Sequence, residues 1–168
     1  MNSNFAIQLD HKSIISVTGA DCVHFLQNII SNDINLVSNN RSIYSCLLSP
    51  QGKFLYDFMI IQQLEGGYLI QCNTTIVDDF VAKLNMYKLR SQIEIKKKNH
   101  EYKSFFFNMA NEIIATSFQA TKGFTLNNSY GFFFNDPRLN DFGIHGIIQE
   151  SKKEDLIKDL NLDLLNLN

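Results

Sequence analysis

The segment from Phe54 to Ile61 constrains the fold more than any other stretch of the chain. Its alternate positions read Phe54, Tyr56, Phe58, Ile60 on one face and Leu55, Asp57, Met59, Ile61 on the other. A strand apolar on both faces is an interior one, so the carboxylate of Asp57 goes into the interior with it. A buried charge is costly unless it is hydrogen-bonded or paired. Either Asp57 is structural, paired with a protein cation such as Lys53 or Arg90 or set at an edge position, or a ligand satisfies it in a pocket. The segment also forms one arm of a hairpin. Ile43 to Leu48 leads through Ser49-Pro50-Gln51-Gly52-Lys53 into Phe54 to Gln62, with Pro and Gly where turns favour them and Gly52 placed for a positive φ.

Other elements are predicted around this hairpin. Ser13 to Val17 alternates like a strand and stops at Gly19, after which Asp21 is placed to cap a helix running to about Ser31. Cys22, Phe25, Leu26, Ile29 and Ile30 share one face of that helix, and His24, Gln27 and Asn28 point outward. Glu65-Gly66-Gly67 turns into a strand from Tyr68 to Cys72, and Asn73, Thr74 or Thr75 caps a second helix carrying Ile76, Phe80, Leu84 and Tyr87. A strand from Gln92 to Lys98 follows. Beyond His100 the pattern becomes strand-dominated, with segments at Ser104–Asn108, Glu112–Phe118, Tyr130–Asn135 and Gly143–Gln149. A last amphipathic helix begins near Ser151 with a Ser151/Glu154 capping box, and the chain closes on an apolar tail of Leu162, Leu164, Leu165 and Leu167.

A chain of 168 residues is about one domain long, here about 1–99 as a first βα unit and about 100–168 as a partial second, β-rich unit. Its 45% hydrophobic and 19% charged residues exclude a disordered or low-complexity class. A net charge of −2 gives no bulk basic surface, so direct nucleic-acid binding is not expected. No apolar run reaches the roughly 18 residues of a membrane span, and the chain reads as cytoplasmic. Cys22, Cys46 and Cys72 fit neither a disulfide framework nor a zinc motif and read as reduced core thiols.

Beyond Asp57 the candidates for chemistry are weak. Cys22 and His24 lie two apart on a helix and point in different directions, so they do not share a metal. His11, His100 and His145 have no partner at a recognisable spacing and read as solvent-facing. Lys96-Lys97-Lys98 reads as a solvated strand end, and the runs Phe105–Phe107 and Phe132–Phe134 as buried strands in preference to stacking platforms. Dinucleotide, P-loop and serine-hydrolase signatures are lacking, which leaves ligands of apolar pockets.

The order of several short motifs adds a resemblance. Val17-Thr18-Gly19-Ala20-Asp21, Phe25-Leu26-Gln27 and Ser31-Asn32-Asp33 resemble the opening of the folate-binding YgfZ proteins, relatives of the glycine-cleavage aminomethyltransferase. Tyr44 to Lys53, Asp57-Phe58, Tyr87-Lys88-Leu89-Arg90, Asp136-Pro137-Arg138-Leu139 and Phe142-Gly143 follow in that family's order. The resemblance implies an α+β folate-binding fold, shortened, of antiparallel sheets with packed helices, and tetrahydrofolate or a derivative as cofactor. It places Asp57, Lys53, Gln51, Tyr87, Arg90 and Asn32 at the folate site. Asp57 would accept hydrogen bonds from the pterin, Gln51 and Lys53 would shape the rim, and Arg90 would either cap its helix or meet the folate glutamate tail. No catalytic residue and no metal ligand is assigned.

YgfZ-like proteins maintain iron–sulfur clusters in client enzymes, some of which modify tRNA, and carry a later K-G-C-Y-x-G-Q-E segment that is not within these 168 residues. Three readings follow: a folate-binding accessory factor for iron–sulfur cluster assembly or repair with no turnover of its own, a one-carbon transferase, or an interaction module. The expected partners are folate, iron–sulfur client enzymes, and a homodimer or partner chain over the apolar tail.

Overall fold

The computed structural model describes residues 4–108, 121–139 and 143–165. Two sheets meet face to face. The first is built on the hairpin: β3 (Ile43–Leu48) pairs antiparallel with β4 (Phe54–Gln62), with a bulge at Leu47/Leu48, and Gly52 takes the positive φ of 78° that the turn needs. β4 continues into β5 (Tyr68–Asn73), β5 pairs with β2 (Lys12–Thr18), and β6 (Glu94–Lys97) closes the order β3-β4-β5-β2-β6. The turn at 63–67 leaves Gly67 at φ 89°, where an added Cβ would stand 2.5 Å from the Val17 carbonyl.

Helices α1 (Cys22–Ile29) and α2 (Val77–Lys88) cover the outer face of this sheet. Phe25, Leu26, Phe80 and Leu84 pack there against Ile15, Tyr56, Phe58, Ile60 and Ile70, and the Phe58 and Phe80 rings stack at 4.9 Å. The predicted helical face of α1 is therefore correct: Cys22, Phe25 and Leu26 are buried and His24, Gln27 and Asn28 exposed.

The second sheet has the order β11-β1-β7-β10-β9-β8, from β1 (Phe5–Gln8), β7 (Tyr102–Asn108), β8 (Thr125–Asn128), β9 (Gly131–Asn135), β10 (Ile144–Gln149) and β11 (Asp163–Leu165). Its outer face carries Ala6, Phe105, Phe107, Phe133 and Ile148, covered by Leu156 of α3 (Lys153–Asp159) and by Leu162. Its inner face sets Phe132, Phe134 and Ile147 against Ile14, Met59, Ile61 and Leu69 of the first sheet. Thus β4 is covered on both sides, as its composition requires, by helices on one and by the second sheet on the other.

Several local expectations change. Asp21 does not cap α1; its Oδ2 accepts from the Gln92 amide at 2.7 Å and ties the helix start to the approach to β6. Asn73 caps a 3₁₀ turn, Thr74–Ile76, that precedes α2, accepting from the Thr75 amide. The Ser151/Glu154 capping box does not form, because Glu150–Lys152 make a 3₁₀ turn and α3 starts at Lys153 without a side-chain cap. Leu164 and Leu165 of the apolar tail run as β11, parallel to β1. Strand β1 has no counterpart in the sequence reading. The predicted strand Glu112–Phe118, and Phe142 and Leu167, lie outside the described residues.

Phe134 is fully buried at the seam between the sheets, so Phe134→Ala is expected to cost about 3–5 kcal/mol. Urea unfolding followed by fluorescence and by circular dichroism checks this: both probes should shift together, because the seam belongs to both sheets.

Candidate functional site

Alternation along β4 puts Asp57, Met59 and Ile61 on the inner face. Met59 and Ile61 enter the apolar seam, and Asp57, one pleat nearer the hairpin, stays half-buried at its end. Antiparallel register sets Cys46 of β3 directly opposite Asp57 and Tyr44 opposite Met59. The Tyr44 hydroxyl donates to Asp57 Oδ2 at 3.2 Å, and the Cys46 thiol lies 3.9 Å from the same hydroxyl. Burial, followed by the Cys46 thiol and the charge of Asp57, pushes the Tyr44 phenol up to about 12. Tyr44 is therefore protonated at neutral pH and acts as a donor. Asn32 supports this strand from behind, its Nδ2 donating to the Tyr44 carbonyl at 2.9 Å.

The second sheet supplies the opposite charge. Asp136 follows β9 and is fully buried. Arg138 grips it with Nε on Oδ1 at 2.9 Å, a terminal nitrogen on Oδ2 at 2.7 Å, and its own backbone amide on Oδ1 at 2.8 Å. This fixed guanidinium lies over the Tyr44 ring, 5.5 Å from its centroid, and its charge reaches Asp57. Burial alone would raise the Asp136 pKa. The hydrogen bonds from Arg138, with the nearby His145 ring adding to them, outweigh it and hold the carboxyl well below the ordinary range. His145 Nε2 stands 3.5 Å from Asp136 Oδ2, its ring stacks on Phe134 at 5.6 Å and meets Phe106 edge-on at 5.7 Å, and among the described residues neither ring nitrogen has a hydrogen-bond partner.

The predicted site residues fall in three places. Asp57, with Asn32 behind Tyr44, occupies the end of the seam. Gln51 and Lys53 are exposed at the hairpin tip. Tyr87 lies near the end of α2, half-buried in a groove of about 440 Å³ shared with Ser49, Pro50, Met86 and Leu89, and Arg90 is exposed beyond that helix. Neither Lys53 nor Arg90 is the partner of Asp57; Tyr44 is, because the strand pair holds it there and the two cations point to solvent. His145, expected in solvent, is buried, because β10 is covered on both faces. Cys22 and Cys72 are buried free thiols as read, whereas Cys46 is only half-buried. Sequence reasoning gave Tyr44, Asp136 and Arg138 no role. The signal for Tyr44 was its spacing of two from Cys46 on the strand paired with β4.

Residues 4–108 match the model of the family described as GCVT N-terminal domain. An "Iron-sulfur cluster assembly factor IBA57 homolog, mitochondrial" of Neurospora crassa is 24% identical over 161 residues, covering 92% of this chain and 37% of that protein. An aminomethyltransferase of Staphylococcus epidermidis is 24% identical over 94 residues, covering 56% of this chain and 26% of that protein. The chain thus spans only about a quarter to somewhat over a third of these curated relatives. Among solved structures, the glycine cleavage system aminomethyltransferase T of Bartonella henselae superposes with a TM-score of 0.76 at 15% identity, over 99% of this chain and 48% of that one. A chain of the heterotetrameric sarcosine oxidase of Corynebacterium sp. U-96 gives 0.61 at 6% identity, over 94% of this chain and 81% of that one. These two likenesses show the fold.

Because the folded pKa of Asp136 lies below its unfolded value, the stability that the Asp136–Arg138 pair supplies is complete above about pH 5 and drains away as pH falls through the folded value. Asp136→Asn is expected to lose about 2–4 kcal/mol at neutral pH, the exposed side of Arg138 moderating the loss. Denaturant midpoints measured from pH 7 down to pH 3 should show the gap between parent and variant constant above about pH 5 and narrowing below it.

Proposed function

The chain belongs to the GCVT N-terminal domain family, and from that premise we propose that it is an accessory factor for iron–sulfur cluster assembly that binds a tetrahydrofolate at Asp57 and has no turnover of its own. One observation carries the assembly reading. Assembly-factor homologues recur among the curated relatives, from Neurospora crassa, Mycosarcoma maydis and Pyricularia oryzae, and the alignment with the first of them extends over 92% of the chain. The second sheet is where Asp136, Arg138 and His145 lie.

The residues at the end of the seam fit a folate in chemical terms. Asp57 Oδ2 takes the Tyr44 hydroxyl, while Oδ1 has no partner among the described residues and can accept from a pterin ring N–H or amino group. Arg138 keeps N–H donors beyond the two it gives Asp136, and these suit an anionic or carbonyl group of the ligand. Asp57 and Arg138 would hold the pterin and the group beside it, with Tyr44 fixing Asp57 in place. When bound, a folate carries one-carbon units. In this reading the chain's own residues bind and orient it and hold no proton at a reacting atom. The transferase reading draws on the shared fold, and the interaction-module reading on the part of the relatives' length that is spanned.

Titration calorimetry with 5-formyltetrahydrofolate tests the proposal. The expected result is micromolar binding that falls about tenfold or more in Asp57→Ala, the loss of a hydrogen bond to a charged acceptor. A folded parent chain that does not bind would leave an interaction module. Folate-dependent release of ammonia from an aminomethyl-lipoyl donor would establish the transferase instead.

A further inference from the structure

The helices do not cover the outer face of the first sheet to its end. Along β4, Tyr56 and Phe58 are buried beneath them, whereas Phe54, on the same face two residues nearer the hairpin, is 61% exposed. The groove of about 440 Å³ beside Tyr87 lies at this uncovered end, walled by Ile29 of α1, by Met86 and Leu89 at the end of α2, and by Leu48 and Pro50 of the hairpin. Leu48 pairs with Phe54 across the hairpin, which adds the ring to the same apolar patch. Met86 is 56% and Leu89 86% exposed. Leu89 also ends α2 at a φ of 48°, a region that glycine enters freely and leucine does not. A strained leucine whose side chain stands in water gives the fold nothing in return, so its place at the groove calls for an occupant.

Charge narrows what that occupant is. No residue lining the groove is charged, and its two rims are basic. Lys53 stands in the hairpin turn, its backbone amide bonded to the hydroxyl of Ser49 on the groove wall, and Arg90 follows Leu89. Both are exposed, and neither has an acidic partner among the described residues. Lys88 turns its charge on Glu94 of β6 instead. Of the carboxylates on these elements, Asp79 is held by the Tyr56 hydroxyl, and Asp33 lies toward the Tyr44 end of β3. A second copy is a poor occupant, because a two-fold pair would set Lys53 and Arg90 against their own equivalents, and among the described helices the apolar faces of α1, α2 and α3 are already buried. A membrane surface takes protruding side chains, whereas here Leu47 and Tyr87 line a concavity. We propose that the groove docks an amphipathic helix of another protein, with an apolar stripe flanked by acidic residues. It lies beside α1 and α2 as a third helix on the sheet, its apolar side chains between Leu48 and Leu89 and its carboxylates near Lys53 and Arg90. The site is separate from Asp57, which is on the other face of β4.

The Met86 methyl signal in a carbon–proton correlation spectrum reports on the groove, and that of Met59, buried in the seam, is the internal reference. The probe is a helical peptide of leucine, alanine and glutamate, about 15 residues long so that it holds its helix in water, with leucines at i, i+3, i+4 and i+7; a counterpart carries lysine in place of glutamate. The expected result is a saturable shift of Met86, with Met59 unmoved, that weakens as salt rises, and binding of the basic counterpart at least about tenfold weaker. Leu89→Gly should bind the acidic peptide about tenfold more weakly, the loss of one buried leucine side chain. It should keep the parent melting temperature, because relief at φ 48° offsets the greater freedom of glycine in the unfolded chain. Lys53→Glu combined with Arg90→Glu should reverse the preference between the two peptides, and Asp57→Ala should leave it unchanged. Absence of a saturable Met86 shift, equal binding of the two peptides, or undiminished binding by Leu89→Gly would overturn the proposal. A Met86 shift that grows with protein concentration alone would give the groove to a second copy, and one raised by vesicles of phosphatidylcholine and phosphatidylserine but not by the peptide would give it to a membrane; either result also overturns it.

Discussion

The apolar seam between the two sheets holds the molecule together. Ile14, Met59, Ile61 and Leu69 from one side and Phe132, Phe134 and Ile147 from the other remove one face of each sheet from water. Without it, β4 and β5 would expose an apolar face and β9 and β10 would do the same. Within the dry layer Gln71 Nε2 donates to Ser104 Oγ at 2.9 Å, a polar contact that fixes the register of the sheets where slippage of apolar side chains alone would be cheap. Asp57, Tyr44 and Arg138 meet where this seam ends.

At the Asp57 end, Tyr44 donates to Asp57 on one side of the gap, and on the other the fully buried Asp136 immobilises Arg138 above the Tyr44 ring. A cation fixed by a buried partner loses little entropy when it meets a ligand, so the arrangement is preorganised.

Much of this could be read in the chain because the relevant signals are local. Pro50 and Gly52 fix the hairpin, the doubly apolar β4 demands cover on both faces, and the helical spacing of Cys22, Phe25 and Leu26 names the buried side of α1. What escaped depends on pairing between distant residues. Strand β1 is four residues long and owes its existence to β7 and β11. Asp21 sits where a cap belongs, yet a backbone amide 71 residues away wins its carboxylate. His145 looks like any histidine on a strand until a second sheet is laid over it. Asp57 was recognisable as an anomaly in its strand, but its partner was not, since lysine and arginine are the usual choices and a tyrosine hydroxyl on the neighbouring strand took the place.

The placement of β1 has a consequence for how the chain reaches this state. Phe5 pairs with Asn108, roughly a hundred residues later, and the same short strand also holds β11 on its other side. β1 therefore has no antiparallel partner until β7 has been made, while the β3–β4 hairpin forms from neighbours in sequence. Both pairings of β1 close long loops, to Asn108 and to Asp163, an entropic cost that slows folding more than it weakens the product. In the interval the edge of β7 that β1 will occupy presents unpaired amides and carbonyls, which makes that edge the place where a nascent chain is most open to capture by another strand.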